Sequence, residues 1–188
     1  MSTTRSLFPK RYADFVQKLR VACGFLLLVT FAWLSNPSRD SMLIGLPISI
    51  VGLAVRAWAS GHLAKDQELA TSGPYAYVRN PLYAGTVIVA LGVVIASRTV
   101  WLAIVFLAVF LLVYLPAIEL EEQHLRELFP VYAEYANRVR RFVPFHRWNA
   151  SGVHFSWARY RRNEEYKALV GFLIAVAWLF AKWHFSRR

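Results

Sequence analysis

Cysteine is nearly absent. Cys23 is the single one among 188 residues, which excludes an internal disulfide framework and any cysteine-cluster zinc site. Acidic residues are scarce: 11 stand against 22 Lys and Arg, for a formal net charge of +11. Charged residues of both signs make up 18% of the chain, below the roughly 25% of an ordinary soluble domain. The nine glycines form no G-x-G-x-x-G, and no βαβ series is visible, so the usual soluble cofactor-binding fold is excluded. No stretch alternates apolar and polar residues as a transmembrane barrel strand does. No A-x-A-like site follows the first apolar run, so the N-terminus does not read as a cleavable signal. Internal repeats and low-complexity segments are missing as well.

What is present is apolar. Hydrophobic residues make up 57% of the chain and aromatics 15%, with seven Trp. A small soluble domain could not hide that much apolar surface. The expected fold is all-α: one membrane-embedded domain over residues 1–188, with about five transmembrane helices. Residues 1–20 carry five basic residues among Leu7, Phe8, Tyr12, Phe15 and Leu19 at near-helical spacing, which predicts an interfacial amphipathic helix. Predicted spans follow at 21–34, 42–59, 82–96, 100–118 and 168–183. The first is short for a bilayer, which takes about 20 residues to cross. Ser97-Arg98-Thr99 makes 82–118 a helical hairpin, and Pro47 and Gly52 are candidate bend points in the second span.

Between the spans lie two long polar segments, 60–81 and 119–166. With the N-terminus placed in the cytoplasm, 17 of the 22 Lys and Arg fall on the inner side and five on the outer. That asymmetry follows the positive-inside rule. It accounts for the basic surplus through anionic lipid headgroups, with no nucleic acid as partner. Both polar segments then share the cytoplasmic side, and a site built from the two together is geometrically possible.

The densest stretch runs Gln67-Glu68-Leu69-Ala70-Thr71-Ser72-Gly73-Pro74-Tyr75-Ala76-Tyr77-Val78-Arg79-Asn80-Pro81-Leu82-Tyr83-Ala84-Gly85. Asn80 is placed as N-cap and Pro81 as the first residue of the third span. A loop with tyrosines and an arginine thus feeds a helix N-terminus, whose free N–H groups favour an anionic group. Composition alone favours plain interface anchoring for these residues. The second stretch opens Glu119-Leu120-Glu121-Glu122-Gln123-His124-Leu125-Arg126-Glu127-Leu128-Phe129. Glu122 and Arg126 are spaced for a solvated i,i+4 pair. Glu121 shares a stripe with Leu125 and Leu128, so it needs a polar partner or a cavity. After Tyr132 and Tyr135 comes Arg138-Val139-Arg140-Arg141-Phe142-Val143-Pro144, a basic and aromatic run suited to lipid headgroups.

In order and spacing, these two motifs resemble the integral-membrane methyltransferases, which include isoprenylcysteine carboxyl methyltransferases and phospholipid N-methyltransferases. The resemblance covers roughly residues 50–145. It implies S-adenosylmethionine as cofactor, bound in a cytoplasmic pocket beside the hairpin. The matching cofactor positions are Gln67, Glu68, Leu69, Ala70, Tyr75, Asn80, Pro81, Leu82, Tyr83 and Glu121. A lipid or lipidated small molecule is the implied methyl acceptor. For an amine acceptor, Glu121 or Tyr83 is the candidate proton acceptor. For a carboxylate acceptor, Arg79 is the candidate partner.

Three positions depart from the family pattern. Asn80 replaces the commoner histidine, and Pro130 replaces the glycine after Phe129. Ala117 stands where eukaryotic isoprenylcysteine enzymes carry an arginine for the substrate carboxylate, four residues before the binding glutamate. That points away from a prenylcysteine and toward an amine-bearing or uncharged lipid. Two alternatives are a nicotinamide-dependent membrane reductase related to the sterol reductases, which share an Arg-His-Pro-type region, and a non-catalytic lipid-binding protein. The five histidines are not at ligand spacing, so no metal is expected. Gly85, Gly92 and Ala96 share one face of the third span, as close helix packing requires. Cys23 reads as inert packing.

Overall fold

A computed structural model describes residues 10–144, 148 and 153–186. It is helical, with no strand among the described residues beyond one isolated bridge. In chain order the helices are α1 Lys10–Leu34, α2 Arg39–His62, α3 Pro81–Ser97, α4 Val100–Val109, α5 Leu115–Leu128, α6 Tyr132–Arg138, α7 Trp157–Arg162 and α8 Tyr166–Phe185. The segments read as an interfacial helix and a first span are one helix, because α1 runs unbroken from Lys10 to Leu34. No proline lies within α1, so the helix continues where the polarity changes. The first nine residues of the expected interfacial segment lie outside the described residues.

Among the described residues, three helices are long and apolar enough to cross a membrane: Arg39–His62, Val100–Leu128 and Tyr166–Phe185. Ala22–Leu34 and Pro81–Ser97 are apolar but shorter. Large side chains such as Phe25, Trp33, Ile44, Trp101 and Ile174 point outward, as helices bathed in hydrocarbon allow.

The tightest seam joins α2 to α3. A Cβ added to Gly45 would meet the Gly92 carbonyl and the backbone nitrogen of Ala96, and one on Gly52 would lie 2.6 Å from the nitrogen of Val89. A Cβ added to Gly85 would lie 2.9 Å from the Gly52 carbonyl. The small-residue face expected on the third span is therefore a real interface, and it is matched by glycines on α2. Ser49 donates to the Val89 carbonyl at 3.0 Å and Ser41 to the Ala96 carbonyl at 2.9 Å. Side-chain hydroxyls thus bridge two backbones that only small residues let approach. Ser38 and Ser41 form a reciprocal capping box at the start of α2.

The hairpin turn is closed by Arg98 in the left-handed conformation, φ 50° and ψ 35°. The returning helix holds a π-turn, Phe110–Tyr114, between α4 and α5. Pro116 follows two residues later and has no N–H for the carbonyl of Leu112, so a local widening of the ladder relieves its ring. α1 packs on this helix through Cys23 and Leu27 against Val109 and Val113. At one end of the bundle, the Asn36 N–H bonds the Ser97 carbonyl at 2.8 Å. At the other end meet the C-terminus of α2, the N-termini of α3 and α8, and all of α5 to α7.

Candidate functional site

The second end of the bundle is stitched across a long sequence interval. Val78 bridges Arg140 in parallel. The Arg79 N–H donates to the Arg140 carbonyl at 2.8 Å, and the Asn80 N–H to the Arg141 carbonyl at 3.1 Å. The Tyr135 hydroxyl donates to the Tyr75 carbonyl at 2.6 Å, and the Trp148 N–H to the Ala76 carbonyl at 2.8 Å. Tyr132, Tyr135 and Val139 form a buried cluster beneath, with Leu69, Leu125 and Phe129 against it. The two motifs read from the sequence are thus one structure.

Glu122 lies at its centre and is 3% exposed. It accepts from the Asn80 side-chain amide at 2.8 Å and from Arg141 at 3.1 to 3.2 Å. The Nε of Arg79 approaches to 3.4 Å, and its NH1 donates to the Ala136 carbonyl at 2.9 Å. The expected solvated pair between Glu122 and Arg126 does not form. Arg126 lies over the ring of Tyr132, 5.3 Å from its centroid. A buried carboxylate must be compensated by charged donors, and two arginines and an amide supply them here.

Glu121 is on the exposed side of the same helix turn and accepts from the Tyr83 hydroxyl at 3.1 Å. Tyr83 stands edge-on to Tyr114 with centroids 6.3 Å apart, so the π-turn aims an aromatic wall at this pair. The expected stripe splits accordingly: Leu125 packs on the tyrosine cluster, and Glu121 takes an open position with a polar partner. Asn80 occupies the N-cap position of α3 without capping it, because its side chain is committed to Glu122. The Asn80 side chain therefore gives the first turn of α3 no cap.

A profile of the phospholipid methyltransferase family matches residues 19–131. The chain belongs to the phospholipid methyltransferase family. Two curated relatives are also similar. Cobalt-zinc-cadmium resistance protein CzcN of Cupriavidus metallidurans is 32% identical over 114 residues, 60% of this chain and 51% of that protein. Nickel-cobalt-cadmium resistance protein NccN of Alcaligenes xylosoxydans xylosoxydans is 30% identical over 114 residues, 60% of this chain and 52% of that protein. The chain spans about half the length of these relatives. No solved structure matches.

The family profile ends at residue 131, so Tyr135, Arg140 and Arg141 reach the family motif from beyond it. So does α7. Its segment covers the C-terminus of α2, where the final carbonyls of a helix have no partner of their own. Asn163 donates to the Ser60 and Leu63 carbonyls at 2.9 Å each, the Ser156 N–H to Gly61 at 2.9 Å, and Arg159 to His62 at 3.4 Å. Arg159 also pairs with Glu68 at 2.8 Å.

The remaining family-implied residues divide. Gln67 and Glu68 are exposed on the rim, beside Asp66, which meets His124 at 3.7 Å. Leu69 and Ala70 are half-buried. Pro81 is fully buried, and the Leu82 carbonyl accepts from Thr86 at 2.9 Å and from Arg56 at 3.4 Å. Tyr75 is buried; burial pushes its hydroxyl up from the usual range, and the charges of Glu121 and Glu165 push the same way. It therefore stays a protonated donor. Among the described residues, no group of three or more His, Cys, Asp or Glu could hold a metal ion. Sequence reasoning missed Arg141, Arg56 and Glu165 as organising residues. A lone arginine near a span end and a glutamate before an apolar run carry no local signal of their pairing.

Proposed function

We propose that the protein transfers a methyl group from S-adenosylmethionine to an amine-bearing or uncharged lipid at the membrane surface, and that its site faces the cytoplasm. The observation that carries this reading is the Tyr83–Glu121 pair. It is an open, hydrogen-bonded acceptor at the uncapped N-terminus of α3, on a scaffold fastened by the buried Glu122. The residues suit the cofactor chemically. A carboxylate suits its ammonium and hydroxyl groups, helix N–H groups suit its carboxylate, and the tyrosines offer flat apolar surface. When bound, the cofactor supplies an electrophilic methyl group. Glu121 and Tyr83 bind and orient, and for an amine acceptor Glu121 takes the proton released.

Ala117 supports the choice of acceptor. It is buried, as are Pro116 and Ile118, and its own side chain offers a substrate carboxylate no compensating charge. Arg79 is already engaged with Glu122 and the Ala136 carbonyl, which supports a scaffold role for it over a substrate contact. The cytoplasmic placement rests on the Lys and Arg asymmetry.

Two measurements test this. Purified protein is titrated with S-adenosylhomocysteine and, separately, with a reduced nicotinamide. Methyl incorporation into phosphatidylethanolamine is then compared with that into N-acetyl-farnesylcysteine. Binding of the first ligand alone and preferential labelling of the lipid amine are expected. Nicotinamide binding would replace the reading with the reductase alternative, and turnover of the prenylcysteine alone would overturn the acceptor. Orientation is read with Cys23→Ala as background and single cysteines at Gln67 and Asn137, both exposed. Both should react only from the cytoplasmic side.

A further inference from the structure

Helix α8 is tied to the bundle at its two ends, packs on it through Ala175 and Leu179, and leaves a cleft along part of its length. At one end Glu165, itself buried, binds Arg56 of α2 through Oε1 at 2.6 Å and Oε2 at 3.0 Å. At the other, Lys182 donates to the carbonyls of Trp33 and Ser35 at 2.9 and 2.8 Å, and the Trp178 indole to Ala32 at 3.3 Å. Between these ties, α8 presents Ala168, Gly171 and Ala175 to Leu53 of α2 and to Val89 and Val93 of α3, and a cleft of about 280 Å³ remains. Phe172 lines it and is buried, while a Cβ added to Gly171 would meet nothing within 4 Å. None of these α8 residues lies within the family profile, which ends at 131.

The polar groups at the cleft decide what fills it. Arg56 and Thr86 are its polar lining. Arg56 gives Nε and NH2 to Glu165, and NH1 to Thr86 and the Leu82 carbonyl; Thr86 in turn donates to Leu82. These bonds take up four of the five guanidinium N–H groups and the Thr86 hydroxyl. A water in the cleft needs two to four polar partners and finds at most the one Arg56 N–H that these four bonds leave over. An anionic headgroup needs a free donor or an uncompensated cation, and the guanidinium is already neutralised by Glu165. The walls that remain are hydrocarbon, and the cleft lies along two helices long and apolar enough to cross the bilayer.

We infer that the cleft between α2, α3 and α8 lodges one hydrocarbon chain of a zwitterionic bilayer phospholipid. This lipid is not methylated. The Arg56–Glu165 pair and Thr86 close the cleft at its site end, while Tyr83 turns to Tyr114 and Glu121. The chain fills the space between two fixed polar ties and so completes the packing of α8.

Phosphatidylcholine with a diazirine near the end of one acyl chain tests this, because its nitrogen is already fully methylated and cannot accept another methyl group. In nanodiscs, photolysis of the full chain should label cleft residues of α3 and α8, with or without S-adenosylhomocysteine. Gly171→Leu fills open space and raises helix propensity, so the helix forms, and labelling in the cleft should fall about tenfold because the added side chain takes the room the acyl chain would occupy. Leu173→Ala, on the exposed side of α8, should leave it unchanged. Added phosphatidylcholine should raise the unfolding temperature of the wild type more than that of Gly171→Leu, as a ligand of the native state alone does. Equal cleft labelling and equal stabilisation of wild type and Gly171→Leu would overturn the inference. So would displacement of the probe by phosphatidylethanolamine under turnover, which would make the cleft the acceptor's own site.

Discussion

Asn80 donates its side-chain amide to Glu122 across 2.8 Å, in a setting where both residues are less than 10% exposed. Asn80 closes the loop that precedes α3, and Glu122 sits midway along α5. One bond therefore fixes the loop to the helix that carries Glu121. The two adjacent glutamates have different tasks. Glu122 is spent on structure, and Glu121 is left at the open side with Tyr83.

Glu122→Gln should be strongly destabilising. Removing one partner of a buried ion pair leaves the others uncompensated and costs about 3–5 kcal/mol. Partial exposure of Arg141 (27%) places the expected loss at the lower end, about 3 kcal/mol. Glu127→Gln, on the exposed face of α5, should stay within about 0.5 kcal/mol of wild type. Thermal unfolding in detergent compares them. Equal midpoints would refute the clamp.

Glu121→Gln should leave stability almost unchanged and weaken S-adenosylhomocysteine binding. A hydrogen bond to a charged group contributes about 1.5–3 kcal/mol, which is roughly a tenfold to hundredfold loss of affinity. Tyr83→Phe removes only the hydroxyl that orients Glu121, so its loss should be smaller. Calorimetric titration gives both. Wild-type affinity in Glu121→Gln would reject Glu121 as a cofactor contact.

Two glycines in apolar helices should respond differently to alanine. Gly45→Ala drives a methyl group into the Gly92 carbonyl and Ala96, and overpacking of this kind costs about 1–3 kcal/mol. Gly24→Ala meets nothing within 4 Å and should gain up to about 1 kcal/mol of helix propensity. A lower unfolding temperature for the first and an unchanged or higher one for the second are expected.

Stability should fall in alkali. Burial raises the hydroxyls of Tyr75, Tyr132 and Tyr135 above the ordinary tyrosine value. A group raised in the folded state contributes stability that is fully present below its unfolded pKa, about 10, and is lost as pH rises above that. Unfolding followed from pH 8 to 11 should show a decline beginning near pH 10. Replacing Tyr132 with Phe should soften it.

The helical framework was legible because its signals are local. Apolar runs located the helices, and Gly85, Gly92 and Ala96 marked the face that meets α2. The division of labour between Glu121 and Glu122 was not legible. Residues one apart on a helix differ by about 100° in direction, and spacing within the helix allowed Glu122 a partner in Arg126. Its actual partners, Arg79, Asn80 and Arg141, come from elsewhere in the chain, and no periodicity within α5 reports them. The π-turn at Phe110–Tyr114 is equally invisible to a helix template, yet it sets which face of α5 meets the loop. The tie from Glu165 to Arg56 joins residues 109 apart and has no sequence signature at all.

The parallel bridge between Val78 and Arg140 carries a consequence for biogenesis. The α2–α3 seam needs nothing beyond Ser97, so it can close while the later helices are still being made. The loop of residues 77–80 cannot take its final form until Arg140 and Arg141 have emerged, and the C-terminus of α2 stays bare until Asn163 arrives. Contacts so distant in sequence form late. During synthesis the membrane core therefore precedes the chemistry, and a chain halted before residue 140 would be a packed hairpin without a site.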